Sequence, residues 1–357
     1  MKILFIIPDF SIGGVTTVVN NLVKELGKNN VETKVVTLFD GDGSNENISL
    51  RVNGLYSAIK AIFKLKKVIK EFKPDVIHTH TMYSHYYGFI CAIIKKDFKL
   101  VCTEHGTYNK KLKIYTRMYL FKLLNFYSDI VTNVSNVSSQ SYIDQKIVSK
   151  NKIKTLYNGI DVKKYQYNSN ARKKIRSELN ICDDTILLGY IGRLSEEKNI
   201  INLLNSLKYI GNNYRLIIVG DGPLKEDILK YIIDFNLSEK ILYLGKKENI
   251  PDYYSAIDLL VLPSDTEGLP TVVLEAMAAE CLVVTTNCGG VKEIFPIDYN
   301  YIVDVKDHLK LSQAINEILN TSNEEKNKIR KICFDRVKNE FSIEKANSNW
   351  LRLYNDI

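Results

Sequence analysis

Two carboxylates, Glu267 and Glu275, flank what reads as a helix start within Pro263–Met277, with Gly268, Leu269 and Pro270 between them. Pro270 suits the first turn of a helix, which puts Glu267 in the preceding loop and Glu275 inside the helix. Carboxylates so placed can accept hydrogen bonds from hydroxyls of one polyol ligand. Free N–H groups near Pro270 and Thr271 can meanwhile face a phosphate or sugar oxygen. The plainer alternative makes Glu267 a helix cap and Glu275 a solvated side chain. Leu274, Ala276, Met277 and Ala278 weigh against it, because a carboxylate among apolar neighbours needs a bound partner.

Arg193 and Lys198 follow a strand end and flank a helix start, where cations and free N–H groups favour a diphosphate. Alone they would read as surface cations. Gly13-Gly14 lies between the first strand and first helix, where missing side chains let backbone approach a phosphate. It is not the full G-x-G-x-x-G of dinucleotide enzymes, and in isolation it is a turn. Gly289-Gly290 offers a similar concave backbone or a plain turn. His78, His80 and His105 stand at strand ends, where open sheets place ligands, although a structural hydrogen bond is the commoner role there. His80 is the candidate on the acceptor side, and His85 reads as structural. His78-x-His80 lacks adjacent carboxylates and a third ligand at metal spacing, and no D-x-D follows. No metal is expected.

The elements that must hold these residues alternate between strand and helix. Ile3–Ile7 reads as a buried strand; Val15, Val18, Val19, Leu22, Val23 and Leu26 then recur at helical spacing. Val31–Leu38, Pro74–His80, Leu100–Thr103 and Ile130–Asn133 continue the rhythm, with a basic amphipathic segment at Leu55–Phe72. The pattern restarts with Thr185–Ile191, Arg215–Val219, Ile241–Leu244, Leu259–Leu262 and Leu282–Thr285. Two α/β, Rossmann-like, doubly wound domains are the expectation. Asp161–Asp184, polar and without apolar period, reads as the interdomain linker. The charged helical tail from about Asn323 ends in Trp350, Leu351, Leu353 and Tyr354, which need a surface to bury against.

The run Glu267-Gly268-Leu269-Pro270…Glu275-Ala276-Met277 resembles the E-x7-E signature of family 4 (group 1) retaining glycosyltransferases, which have the GT-B fold. Gly13-Gly14, His105-Gly106, Asn158-Gly159-Ile160-Asp161, Gly192-Arg193-Leu194 with Lys198, and Gly220-Asp221-Gly222-Pro223 match in the family's order, so the resemblance covers nearly the whole chain. It implies two domains facing across a cleft: 1–165 binding acceptor, 166–340 binding the nucleotide-sugar donor, and a terminal helix, 341–357, packing back on the first. It also implies a retaining hexosyltransferase that moves a hexose or N-acetylhexosamine from a nucleotide-sugar, UDP by family habit, to a glycan or lipid-linked acceptor. Surface polysaccharide synthesis, as of capsule or exopolysaccharide, is the expected setting. The resemblance gives Glu275 the donor ribose and places Glu267 near the transferred sugar. Arg193 and Lys198 are given the pyrophosphate, whose charge grows as the glycosidic bond breaks. His105 is given sugar contact and help with the acceptor proton. Catalytic roles thus fall to His105, Arg193, Lys198 and Glu267. Donor binding falls to Gly13, Gly14, Arg193, Lys198, Gly268, Leu269, Pro270 and Glu275. No cofactor is implied, the nucleotide-sugar being a co-substrate.

Two rivals are weaker. An NAD-dependent Rossmann enzyme could use Asp40 as its ribose acid, but the glycine fingerprint is missing. A non-catalytic partner that stabilises another transferase would be expected to lose cleft charges, yet Arg193, Lys198, Glu267, Glu275 and His105 are all present.

Composition agrees with a globular protein of two ordinary domains: 357 residues, 45% hydrophobic and 25% charged. No apolar run approaches the roughly 20 residues of a membrane span. The N-terminus reads as a first strand and is too short for a signal peptide. Six scattered cysteines, with no Cys-x-x-Cys, read as reduced core thiols of a cytosolic protein. Charge is uneven, with a net of +12 in residues 1–165 and −4 in the remainder. Lys60, Lys64, Lys66, Lys67, Lys70 and Lys73 interleave with Ile59, Ile62, Phe63, Ile69 and Phe72. Lys110, Lys111, Lys113, Arg117 and Lys122 surround Tyr115, Tyr119 and Phe121. Such mixtures suit an anionic membrane surface, here the inner face of the cell membrane, or a lipid-diphosphate acceptor. Nucleic acid is the poorer partner, since no recognition motif accompanies the charge.

Overall fold

Unbroken Ile, Val and Leu runs are what a parallel strand covered on both faces requires. The computed structural model describes residues 1–9, 14–39, 48–94, 97–107, 115–211 and 213–357. It divides into one unit of Met1–Gly159 with Ile343–Ile357, and another of Ile160–Ser342.

The first unit holds a parallel sheet of β1 (Lys2–Ile7), β2 (Glu32–Thr37), β3 (Ile48–Ser49), β4 (Val76–His80), β5 (Lys99–Glu104), β6 (Ile130–Asn133) and β7 (Ile153–Thr155), in the order β3-β2-β1-β4-β5-β6-β7. Strand alternation divides its core in two. Leu4 and Ile6 meet Ala61, Leu65, Val68 and Phe72 of the helix Leu55–Phe72 on one face. Ile3, Phe5 and Ile7 meet Val19, Leu22 and Leu26 on the other, together with Trp350, Leu353 and Tyr354 of the helix Ile343–Asp356. The terminal apolar residues thus find their surface in this unit.

The second unit holds β8 (Ile186–Ile191), β9 (Tyr214–Val219), β10 (Ile241–Gly245), β11 (Leu259–Leu262), β12 (Leu282–Thr286) and β13 (Ile302–Val303), in the order β10-β9-β8-β11-β12-β13 and again parallel. Strand order reverses at β1/β4 in one sheet and at β8/β11 in the other. Such switch points leave a crevice at the strands' carboxyl ends, the usual ligand position in open α/β sheets.

Three expectations change. Asp161–Asp184 is not a featureless linker, since it contains helices Val162–Tyr165 and Ser169–Glu178. Ala171 and Ile175 bury, while Arg172 and Arg176 anchor the second helix to Asp258 at 2.7 and 3.3 Å. The division falls after Gly159 rather than after 165, because Val162–Tyr165 packs on the helices Ile250–Ala256 and Thr271–Ala278. The charged tail is two helices, Asn323–Glu340 and Ile343–Asp356.

Candidate active site

In the second unit, the chain leaving β8 turns through Gly192–Ser195 into a 3₁₀ turn, Glu196–Lys198, and then the helix Ile200–Ser206. This loop is tied to its neighbour by Gly192 N–H to the Val219 carbonyl (3.0 Å), Leu194 N–H to the Asp221 carbonyl (3.0 Å) and Leu224 N–H to the Leu194 carbonyl (3.0 Å). The backbones touch so closely that a Cβ on Gly220 would stand 1.9 Å from the Gly192 oxygen. The Gly220-Asp221-Gly222-Pro223 motif therefore shapes the loop that carries Arg193 and Lys198. Arg193 is exposed and has no ion-pair partner among the described residues.

After β11 the chain runs through Ser264 to Pro270, which is the N-cap of the helix Thr271–Ala278 and so sits one place earlier than its sequence suggests. Asp265 N–H donates to the Glu197 carbonyl (2.8 Å), and Asn199 Nδ2 donates to Asp265 Oδ1 (2.8 Å), locking the two loops together. Lys198 Nζ consequently reaches both oxygens of Glu267, at 2.7 and 2.9 Å, and Ser264 Oγ donates to Oε1 at 2.6 Å. The carbonyl of Ser264 is in turn held by the Thr286 hydroxyl. Glu267 is only 8% exposed, so its charge is balanced by groups of the protein. Leu269 and Pro270 are buried and Gly268 is partly exposed. Gly289-Gly290 braces this loop, with Gly290 N–H donating to the Gly268 carbonyl at 2.8 Å.

Glu275 is buried among Val273, Leu274, Ala276, Met277 and Ala278, as its neighbours in sequence imply. The partner it needs is intramolecular: Tyr254 donates its hydroxyl to Oε2 at 2.8 Å. Burial raises the Glu275 carboxyl, and hydrogen bonds from Tyr254 and Tyr165 oppose that rise. Tyr254 and Tyr165 pack edge to face, with ring centroids 5.9 Å apart. Neither tyrosine carries a motif, and Tyr165 lies 110 positions from Glu275, so only the fold reveals them.

In the first unit, His80 ends β4 and His105 follows β5; His80 Nδ1 and His105 Nε2 are 2.9 Å apart. Burial, helped by the nearby His85 charge, pushes His105 down to about 4, and burial with its histidine neighbours holds His80 well below the usual imidazole range. His78 is structural, with Nδ1 on the Tyr354 hydroxyl (2.7 Å) and Nε2 on the Thr103 hydroxyl (2.6 Å). His85 bridges Thr79 (2.7 Å) and Glu104 (3.1 Å). Burial would lower this imidazole, but Cys102 and Glu104 outweigh it and push it up to about 10. Gly14 opens the helix Gly14–Gly27, while Gly13 lies outside the described residues. Among the described residues, no three His, Cys, Asp or Glu side chains converge as metal ligands would.

The structure thus joins Lys198 to Glu267 and His80 to His105, and it gives Glu275 a separate tyrosine seat. Carboxylates beside exposed and half-buried cations on one switch point can hold a ligand that is both polyhydroxylated and anionic.

Comparison with known proteins accords with this chemistry. A family model described as Glycosyltransferase Family 4 matches residues 12–164, and one described as Glycosyl transferases group 1 matches residues 171–332. The chain is 27% identical over 315 residues to an Escherichia coli UDP-Gal:alpha-D-GlcNAc-diphosphoundecaprenol alpha-1,3-galactosyltransferase, covering 85% of this chain and 81% of that protein. It is 28% identical over 308 residues to the N-acetyl-alpha-D-glucosaminyl L-malate synthase of Bacillus anthracis, covering 82% and 78%. In fold it is similar to Anabaena Alr3699/HepE, solved in complex with UDP-glucose, with a TM-score of 0.89 at 21% identity over 100% of both chains.

Proposed function

Since the chain belongs to the family 4, group 1 glycosyltransferases and has their two parallel-sheet GT-B domains, we propose that it transfers a hexose or N-acetylhexosamine from a UDP-sugar, with retention, to a glycan or lipid-linked acceptor in surface polysaccharide synthesis. The observation that carries this reading is the Lys198–Glu267 contact beside exposed Arg193. A diphosphate competing for the Lys198 ammonium weakens its two bonds to Glu267 and leaves that carboxylate to accept from a sugar hydroxyl. Arg193 and Lys198 then offset the charge that grows on the departing diphosphate. Glu275, held in place through Oε2 by Tyr254, is the group that accepts from the ribose hydroxyls. UDP is favoured because the E. coli relative is named for UDP-Gal and the Anabaena neighbour holds UDP-glucose.

The test is nucleotide release from UDP- and GDP-sugars with membrane extract as acceptor. UDP release is expected, unchanged by EDTA because two protein cations supply the charge a metal would. Glu275→Ala should lower donor affinity by on the order of tenfold to a hundredfold, the worth of one or two charge-assisted hydrogen bonds. Absence of nucleotide binding, with Glu275→Ala silent in cells, would favour the non-catalytic partner instead.

Peripheral binding to the inner membrane face forms part of the same proposal. On the helix Leu55–Phe72, Leu55, Tyr56, Ile59 and Phe63 are exposed, with Lys60 over the Tyr56 ring and Lys66 over Phe63. Lysines around an apolar stripe match an anionic bilayer surface. Among the described residues no helix is long and apolar enough to cross a membrane. Of the second basic group, Lys110, Lys111 and Lys113 lie outside the described residues. Replacing Leu55, Ile59 and Phe63 by Ser should cut co-sedimentation with phosphatidylglycerol vesicles about tenfold or more, from lost apolar burial. Equal sedimentation of both proteins would remove this helix from the proposal.

A further inference from the structure

His80 has one ring nitrogen on His105 and another that, among the described residues, no group meets. The residue is fully buried, and its Nε2 has no hydrogen-bond partner among the described residues. Two hydroxyls of the helix that follows directly, Thr81–Ile94, namely Thr81 Oγ1 and Ser84 Oγ, are likewise buried and unpartnered among the described residues. Thr81 adopts φ +69°, a left-handed conformation that is costly for a β-branched residue. His80 thus stands at the junction of strand and helix, with Nδ1 2.9 Å from His105 Nε2.

Both imidazoles are neutral at pH 7, so each carries one proton and the 2.9 Å contact holds one of them. The proton of His80 can sit on either nitrogen. On Nε2 it would be a buried N–H without an acceptor, which native proteins rarely tolerate. On Nδ1 it is used in the bond to His105, and the bare Nε2 lone pair is the lesser loss. His105 Nε2 must then be the acceptor, which places the His105 proton on Nδ1. That nitrogen belongs to a partly exposed residue, is not among the buried unpartnered atoms, and makes no hydrogen bond to the described residues.

We propose that His80 is a positioning residue: by donating from Nδ1 to His105 Nε2, it fixes His105 as the Nδ1–H tautomer, so His105 presents a hydrogen-bond donor and not a base. The use of that donor, toward a hydroxyl or ring oxygen of the transferred sugar, rests on the glycosyltransferase reading. The tautomer itself does not. On this proposal His105 is a sugar-orienting group, and the acceptor proton leaves by another route than this imidazole.

The experiment is ¹⁵N NMR of the full chain labelled with ¹⁵N-histidine, with His105 assigned by difference from His105→Gln. The expected spectrum has a pyrrole-type Nδ1 and a pyridine-type Nε2 on His105. His80→Phe should shift His105 toward the Nε2–H form and lower kcat about tenfold, the worth of one hydrogen bond, with UDP affinity unchanged. His80→Asn, whose amide can donate where Nδ1 did, should restore both. A wild-type His105 protonated on Nε2 would overturn the proposal, as would His80→Phe leaving tautomer and kcat untouched. If His80→Phe fails to fold, the wild-type spectrum alone decides. If wild type turns over no nucleotide-sugar, the glycosyltransferase reading falls while the NMR result still decides the tautomer.

Discussion

Lys198→Ala lowers nucleotide-sugar turnover by on the order of 10²–10³-fold, the usual loss when one preorganised partner of a developing charge is removed. It also destabilises the second unit, because Glu267, 8% exposed, loses two hydrogen bonds and, among the described residues, keeps that from Ser264. Breaking a buried pair costs roughly 3–5 kcal/mol, and the lower end applies because the Lys198 side chain is one-fifth exposed (21%) and partly screened. The two losses can be separated. Glu267→Gln on the Lys198→Ala background removes the orphaned charge, so the double variant should regain most of the melting temperature without regaining turnover. Calorimetry of the four proteins of this cycle, with UDP release measured on each, gives both quantities. Turnover near wild type in Lys198→Ala would take Lys198 out of the catalytic set, whatever the melting temperatures show.

Gly289→Ala is the second large effect, and it acts on backbone alone. Gly289 has φ +53°, and a Cβ there would stand 1.9 Å from the Glu267 carbonyl oxygen and 2.7 Å from its carbonyl carbon. Left-handed backbone costs an alanine about 1 kcal/mol. The collision adds more, because the obstacle is backbone and cannot rotate away. Relief requires the Glu267–Gly268 segment to move, which breaks the Gly290–Gly268 hydrogen bond and carries the Glu267 carboxylate off Lys198. We expect a loss of more than about 3 kcal/mol, or roughly 6–12 °C in melting temperature at 2–4 °C per kcal/mol. Turnover should fall with it even below the melting transition. Gly27→Ala is the control, since a Cβ there meets nothing within 4 Å. A Gly289→Ala protein as stable and active as Gly27→Ala would show that this loop does not depend on the close contact.

Some of this was legible in the chain before any fold was known, and the parts that were not share a cause. The apolar runs mark the longer strands, because a strand covered on both faces needs every side chain apolar. β3, β7 and β13, of two or three residues, are edge strands too short to show any period. The helix Ser169–Glu178 hides for a different reason. Only Ala171 and Ile175 supply its apolar contact, and Arg172 and Arg176 do the rest through Asp258 and the Ala256 carbonyl. At the site, residue types and spacing point to Lys198, Glu267 and Glu275. What orients them is contributed by Ser264, Asn199, Tyr254 and Tyr165, each ordinary in its own stretch of sequence. Gly289-Gly290 reads in sequence as a concave surface or a plain turn, and its packing on the Glu267–Gly268 backbone shows in the fold alone. The His80–His105 bond needs only that β4 and β5 are neighbours in register, His80 opposite Thr103. Nothing in either strand announces it.

The path of the chain through its first unit has a temporal meaning. Residues 1–159 lay down the sheet, but Trp350, Leu353 and Tyr354, which close one face of its core, are 191 or more positions later than Gly159. A ribosome making this protein must finish the whole of Ile160–Ser342, a contiguous segment able to condense as it emerges, before the earlier sheet is sealed. Until then His78 lacks its Tyr354 partner, and the Ile3, Phe5 and Ile7 face, covered by Val19, Leu22 and Leu26, stays open to water or to chaperones where the last helix will sit. The first domain to be translated is therefore the last to be completed.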